Sequence, residues 1–230
     1  GKTGINHKTG KNLIGSFYQP TAIVVDYQTL NSLSFKESQS GFAEVIKYAF
    51  IRDKILYDYL VKHATQLKRF DYKKDVQLWH YIIHRSCENK IEVVQNDEKE
   101  SNLRAILNFG HTIGHGLEAY FNYSTYKHGE CVAMGMVAAT FIAEKKQLIS
   151  FDTACAMYNL IKAYDYHLIL LKEVDFAALI NLIKRDKKVK QKTLYFVLPV
   201  QLAHVNIVSD VTQKDIEQSL VFIQNFFKGE

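Results

Sequence analysis

The sequence predicts a mainly α fold: a multi-helical body with a short strand near its N-terminus and a small late β-hairpin. Three observations carry that expectation. The two prolines, Pro20 and Pro199, flank a long proline-free stretch, which favours helices. Apolar residues recur near helical spacing from about residue 38 onward, as Val76, Trp79, Ile83, Cys87 and Ile91 do. β-branched and aromatic residues concentrate instead at 21–26 and again at 193–208.

Taken in order, residues 1–20 read as a loop, broken by Gly1, Gly4, Gly10 and Gly15. Thr21 to Asp26 reads as a short buried strand. A strand cannot stand alone, so this one is expected to join a sheet belonging to sequence beyond the chain. Thr29 to Leu33 reads as a loop or helical turn. Ser38 or Ser40 is the candidate cap of a helix through Phe50. Two further helices are expected at 53–67 and 73–95, followed by a polar break at 96–102. Helices then cover about 103–121, 128–146, 151–162 and 173–185. The glycines at 110, 114, 129 and 135 weaken helix propensity, and they let a backbone or ligand approach closely. Thr193 to Pro199 and Ala203 to Val208 read as paired strands, and a last helix spans about 212–227, capped near Thr212 or Ser209.

The 230 residues suffice for one large domain or two small ones, and a hydrophobic content of 47% supports a sizeable core. The net charge of +5 is spread over the chain apart from one late lysine run. That reads as a solvated surface, or secondarily as attraction for small anions. No zinc finger, arginine-rich arm or aromatic RNA-binding motif occurs, so a nucleic-acid partner is not expected. Cys87, Cys131 and Cys155 are odd in number and widely spaced, as in a reduced cytosolic protein. No run is long and apolar enough to span a bilayer, and no signal peptide is recognisable. The chain opens on Gly1-Lys2-Thr3-Gly4-Ile5-Asn6 without a methionine, which reads as a start in mid-protein.

Three segments put ligand-type or charged side chains inside apolar, helix-like sequence. They are GFAEVIK at 41–47, NFGHTIGH at 108–115 and HGE at 128–130. Glu44, His111 and His128 supply one carboxylate and two imidazoles, a set that holds a catalytic zinc with coordination positions left open. Glu44 and Lys47 are three apart, which permits a surface ion pair. Yet their neighbours are apolar almost all round, so the pair belongs more naturally in a buried site. His111 and His115 are four apart and share a helix face. A single such pair is ordinarily two core histidines. His80 and His84 form an internal control at the same spacing, without glycine or a nearby carboxylate motif, and read as surface or packing residues. His128 alone reads as a capping or exposed residue. Glu100 and Arg104 can pair at a helix start, Lys90 alone reads as surface, and Lys184–Lys190 reads as a solvated connector or a phosphate binder.

Together these segments resemble 3-dehydroquinate synthase. The matching stretches are GKTGIN with Lys11-Asn12, GFAEVIKYA, Lys90, ESNLRAILNFGHTIGHGLEA, KHGECVAMGM, and Asp186-Lys187-Lys188 followed by Tyr-Phe-Val-Leu-Pro. The resemblance implies a helical metal-binding C-terminal domain at 36–230. Residues 1–35 would be the end of an α/β NAD-binding domain and its linker. It implies two cofactors, NAD and one divalent metal, zinc or cobalt, with Glu44, His111 and His128 as metal ligands. It implies substrate contacts from Lys2, Asn12, Lys47, Lys90, Arg104, Asn108, His115 and one of Lys187 and Lys188, with Glu100 as an acidic site residue. Asn12, Lys47, His115 and the late lysine would lie near phosphate, and Lys90 and Arg104 near a carboxylate. Lys2, Lys11, Thr29, Ser32 and Leu33 would face NAD.

The implied substrate is a small phosphorylated sugar acid, 3-deoxy-D-arabino-heptulosonate 7-phosphate. Its conversion to 3-dehydroquinate and phosphate runs through NAD-dependent oxidation, elimination, re-reduction and aldol closure. A cytoplasmic homodimer, without membrane or nucleic-acid partners, is expected. Other sugar-phosphate cyclases are the nearest rival, and Lys90 and Arg104 argue instead for a substrate bearing a carboxylate. A metal-dependent polyol dehydrogenase would not need Lys47 and the lysine-rich set. A non-catalytic helical module would need none of Lys47, Lys90, Arg104 and Asn108.

Overall fold

The structure is a computed structural model that describes residues 3–7, 10–98, 103–166, 174–187 and 194–227; within these, nothing is taken from the side chains of residues 6, 10–13 and 185–187. Its elements run β1 (Ile5–His7), β2 (Gly10–Ile14), a 3-10 turn (Tyr27–Ser32), α1 (Phe35–Ile51), α2 (Lys54–Lys62), α3 (Ala64–Leu67) and α4 (Val76–Asn96). A second 3-10 turn (Leu103–Asn108) leads into α5 (His111–Tyr120), α6 (His128–Lys145), α7 (Phe151–Ala163) and α8 (Phe176–Lys187). The strands β3 (Phe196–Gln201) and β4 (His204–Val208) and the helix α9 (Gln213–Phe226) complete the order. The mainly helical fold class and the late hairpin are as the sequence predicts. β3 and β4 pair antiparallel, with Pro199 opposite Val205 and an irregularity between Pro199 and Gln201.

Helix α6 is the axis of the body. Nearly every position from Gly129 to Ala143 is buried. A helix apolar on all faces must be surrounded, and α6 packs against α1, α5, α7, α9 and β3. Met134 on α6 and, from other elements, Phe50, Ile46, Phe109, Leu117 and Tyr164 lose essentially all solvent contact. Each such side chain contributes about 1.5–3 kcal/mol of burial.

Two contacts set how close the neighbouring helices come. At Gly129 the α6 backbone meets α1, and a Cβ there would lie 1.8 Å from the Ser40 carbonyl oxygen. The Gly129 N–H donates to Ser40 Oγ at 2.9 Å. At Gly135 a Cβ would lie 1.9 Å from the Gly110 carbonyl oxygen. Gly110 has φ +77°, the left-handed turn that ends the second 3-10 turn and starts α5.

Several boundaries differ from expectation. The first twenty residues hold the hairpin β1–β2, with Ile5 opposite Ile14, and Thr3 continues it by donating from both N and Oγ1 to the Ser16 carbonyl. Of the glycines that read as loop breakers, Gly4 and Gly15 flank its outer ends, Gly10 opens β2, and Gly1 lies outside the described residues. Residues 21–26 form no strand: no ladder partner faces them among the described residues, and Ile23, Val24 and Val25 are exposed. α1 starts earlier than expected because Ser34, not Ser38 or Ser40, caps it by accepting from the Glu37 N–H. Its first turn is exposed and so leaves no apolar periodicity to read. The expected helix at 53–67 breaks at His63, and the one at 103–121 divides at Gly110. Among the described residues no helix is long and apolar enough to cross a membrane.

Gly129→Ala is expected to force α6 away from α1. Overpacking of this kind costs about 1–3 kcal/mol, so the thermal midpoint should fall by several degrees. Zinc affinity should fall with it, because His128 is carried on the displaced turn. Thermal melting and a chelator-competition titration, run on the same preparation, check both.

Candidate metal centre

Three helices converge on one point. α1 contributes Glu44 and Lys47 from its middle, while α5 and α6 contribute His111 and His128 as their first residues. Ligand atoms of Glu44, His111 and His128 all lie within 4.8 Å of one another. Glu44 Oε1 is 3.4 Å from His111 Nε2 and 3.4 Å from His128 Nε2. That oxygen is buried and has no hydrogen-bond partner among the described residues. The other oxygen, Oε2, accepts from Lys47 Nζ at 2.5 Å. A buried carboxylate oxygen left open between two imidazole nitrogens fits a divalent cation, and the N,N,O donor set suits zinc or cobalt.

Each imidazole has its far nitrogen engaged. His111 Nδ1 lies 3.0 Å from the Phe109 carbonyl, and His128 Nδ1 lies 3.3 Å from Glu118 Oε1. This leaves both Nε2 atoms toward Glu44, as in metal-ligating histidines whose other N–H is held by a carbonyl or carboxylate. Glu118 was not anticipated from the sequence. The available signal was a carboxylate among Ile113, Leu117 and Ala119, three residues after His115.

The charges shape one another. Burial opposes ionisation of Glu44, but His111, His128 and Lys47 outweigh it and hold the carboxyl well below the usual range. Burial lowers His111 despite Glu44. His128 is pushed up to about 9, first by Glu118 and then by Glu44. Burial also lowers Lys47, Glu44 opposes this, and the charge of Lys90 adds to the lowering. Lys47 is only 3% exposed, and its Nζ lies 5.3 Å from the Tyr48 ring centroid.

The remaining expected residues fall in three groups. His115 joins the centre, its ring 5.3 Å from that of His111 and 6.1 Å from that of His128. Lys90 is exposed on α4, within electrostatic reach of Lys47. Asn108 ends the 3-10 turn next to Phe109, whose carbonyl holds His111. Arg104 is buried: Nη1 donates to the Glu98 carbonyl at 2.6 Å, and the guanidinium lies over Phe17. Thr29 and Ser32 sit on the first 3-10 turn, their hydroxyls bonded to its own carbonyls, and Leu33 closes it; all three are exposed. Lys11 and Asn12 lie on β2 and Lys187 ends α8, with side chains outside the described ones. Lys2, Glu100 and Lys188 lie outside the described residues. His80 and His84 are exposed on α4 away from this cluster, their rings stacked at 6.4 Å.

The same architecture occurs in solved structures. A 2-epi-5-epi-valiolone synthase from Streptomyces hygroscopicus, solved with NAD+ and Zn2+ bound, matches with TM-score 0.85 at 22% identity, over 97% of this chain and 61% of that one. A 2-deoxy-scyllo-inosose synthase complexed with carbaglucose-6-phosphate, NAD+ and Co2+ matches with TM-score 0.75 at 21% identity, over 96% and 60%. At those identities the likeness is one of fold alone, and the class it defines is the helical architecture these two synthases share. Sequence narrows the class. Residues 41–189 match the 3-dehydroquinate synthase C-terminal family and residues 1–40 the 3-dehydroquinate synthase N-terminal family, so the chain belongs to the 3-dehydroquinate synthase family. It is 44% identical over 224 residues to the 3-dehydroquinate synthase of Rippkaea orientalis, covering 97% of this chain and 60% of that protein. The corresponding figures for Dictyoglomus thermophilum are 41% over 220 residues, 96% and 60%. The chain thus spans about 60% of the length of the curated relatives it matches.

Glu44→Gln keeps the shape of the side chain and removes its charge. Zinc affinity is expected to fall by more than about 100-fold, beyond the range typical of supporting residues, with helical circular dichroism retained. His80→Ala should leave zinc binding unchanged. Undiminished metal uptake by Glu44→Gln would remove Glu44 from the ligand set.

Proposed function

We propose that this chain carries the metal- and substrate-binding part of a 3-dehydroquinate synthase, converting 3-deoxy-D-arabino-heptulosonate 7-phosphate to 3-dehydroquinate and phosphate. The observation that carries the reading is Glu44 Oε1, buried, without a hydrogen-bond partner among the described residues and 3.4 Å from each of two Nε2 atoms. Family membership and the 44% identity to a named relative support the choice of reaction over those of the structural neighbours. In this reading Glu44, His111 and His128 hold the divalent cation, zinc or cobalt. The bound cation supplies Lewis-acid polarisation of substrate oxygens, and NAD supplies reversible hydride acceptance.

The chain's own residues bind and orient. Lys47 is a buried ammonium with three donors, one of them given to Glu44 Oε2, which leaves others for a ligand anion. Lys90 adds a second positive charge at the rim. His115 presents an imidazole on the same face of α5 as His111. Most of the rate enhancement comes from positioning and preset electrostatics. Lys2, Asn12, Glu100, Arg104, Asn108, Lys187 and Lys188 complete the proposed substrate set. Lys2, Lys11, Thr29, Ser32 and Leu33 form the proposed NAD edge. Residues 1–35 are assigned to the end of an α/β NAD-binding domain and 36–230 to the helical domain, a division supported by the N-terminal family match at 1–40. The working protein is a cytoplasmic homodimer in this reading.

The sequence has no complete dinucleotide fingerprint, a GxGxxG between strand and helix. The 230-residue chain alone should therefore take up zinc without turnover. Joined to the part of the Rippkaea orientalis relative that this chain does not cover, it should release phosphate from the substrate in an NAD-dependent manner. Lys47→Ala in that fusion should lower kcat/KM by about 100-fold or more, as loss of a charge-stabilising donor does. Phosphate release that persists in Glu44→Gln, or that ignores NAD, would overturn the assignment.

A further inference from the structure

We propose that Glu118 is a positioning residue of the metal centre: its carboxylate locks the His128 ring so that Nε2 faces Glu44, and holds His115 in the same frame. The inference rests on the reading of Glu44, His111 and His128 as the cation site. Glu118 lies on α5, which also carries His111, so one helix supplies a ligand and the support for a ligand on another helix. Oε1 is 3.3 Å from His128 Nδ1, and Oε2 is 3.9 Å from His115 Nε2.

Two features argue that this carboxylate serves the site. First, it is 5% exposed, and a carboxylate buried to that extent destabilises the fold unless it is compensated. The two imidazoles supply part of that compensation. Second, His128 needs an anchor. It is the first residue of α6 and its side chain is 44% exposed, so packing alone does not choose which ring nitrogen points inward. His111 meets the same need through the Phe109 carbonyl at 3.0 Å. Glu118 is therefore the counterpart, on the exposed side of the centre, of a backbone carbonyl on the buried side.

A competing use of the same atoms is a second cation bound by His115, Glu118 and His128, whose ligand atoms also lie within 4.8 Å. It would need His128 Nδ1 as a ligand while Nε2 serves the first cation. A neutral imidazole offers only one lone pair, so the ring would have to lose both its protons. The geometry favours the supporting role, and metal stoichiometry separates the two.

The test uses the 230-residue chain stripped of metal, as unmodified protein, Glu118→Ala and Glu118→Gln. Zinc affinity is read by competition with a chelator, metal content by elemental analysis, the ligand field by visible absorption with Co2+ in place of zinc, and stability by thermal melting without metal. The expected result is one ion per chain. Zinc Kd should rise about 10–100-fold in Glu118→Ala, the usual cost of losing such a support, with an altered cobalt spectrum. Glu118→Gln should recover most of the affinity, because its amide oxygen still accepts from Nδ1–H. If Glu118→Ala fails to fold, Glu118→Gln carries the test through a shifted cobalt spectrum and a smaller rise in Kd. Unchanged affinity and an unchanged cobalt spectrum in the variants would overturn the inference and leave the metal centre standing. Two ions in the unmodified chain and one in Glu118→Ala would replace it with a second site. Unmodified protein that takes up no zinc would overturn the metal centre itself, and the inference with it.

Discussion

α6 touches α1 and α5 backbone to backbone, and the site depends on that constraint. A Cβ at Gly129 or Gly135 would lie inside the van der Waals envelope of a carbonyl oxygen on the neighbouring element. The contacts fix the separation and rotation of the helices to within a fraction of an ångström, since closely packed interiors do not deform continuously. His128 precedes Gly129 by one residue, and His111 follows Gly110 by one. Each ligand is therefore carried on the very turn whose position the glycine sets. Glu44, on the next turn of α1 after Ser40, is tied to the same contact.

The second determinant is how charge is distributed over the buried cluster. The two oxygens of Glu44 have different environments: one bonded to Lys47, one open between imidazoles. Burial works against the charge of Lys47 and Glu44 supports it, and removing one partner of a buried pair costs about 3–5 kcal/mol. Glu118 balances the far side of the His128 ring. The cluster is thus held by alternating carboxylate and cationic or imidazole groups, while the open oxygen of Glu44 remains for something further to bind.

Much of this could be read in the residues. A nearly unbroken apolar run after His128 implies a helix there, and the charged residues in GFAEVIK and NFGHTIGH stand out because burial makes them costly. The errors have physical causes. Ser34 was overlooked as a cap because three exposed residues separate it from the first buried one. The run at 21–26 has strand composition, but a strand is defined by its ladder, and no described residue supplies one. The break at Gly110 depends on a positive φ that becomes necessary only when α6 is pressed against it. Glu118 escaped notice because its meaning lies in its distance from His128 on another helix, and no spacing along the chain encodes that distance. The pairing of Arg104 with Glu100 lies outside the described residues; within them Arg104 meets the Glu98 carbonyl and the Phe17 ring.

The placement of the three ligand side chains has a consequence for folding. They come from stretches far apart in the chain, so a bound cation would act as a reversible cross-link joining α1 to the starts of α5 and α6. Such a link excludes unfolded conformations in which those segments separate, and long loops gain most from it. Binding to the native state alone would add about 1.4 kcal/mol of stability for every tenfold rise in free metal above Kd. Resistance of this domain to heat and proteolysis would then track the metal supply of its surroundings.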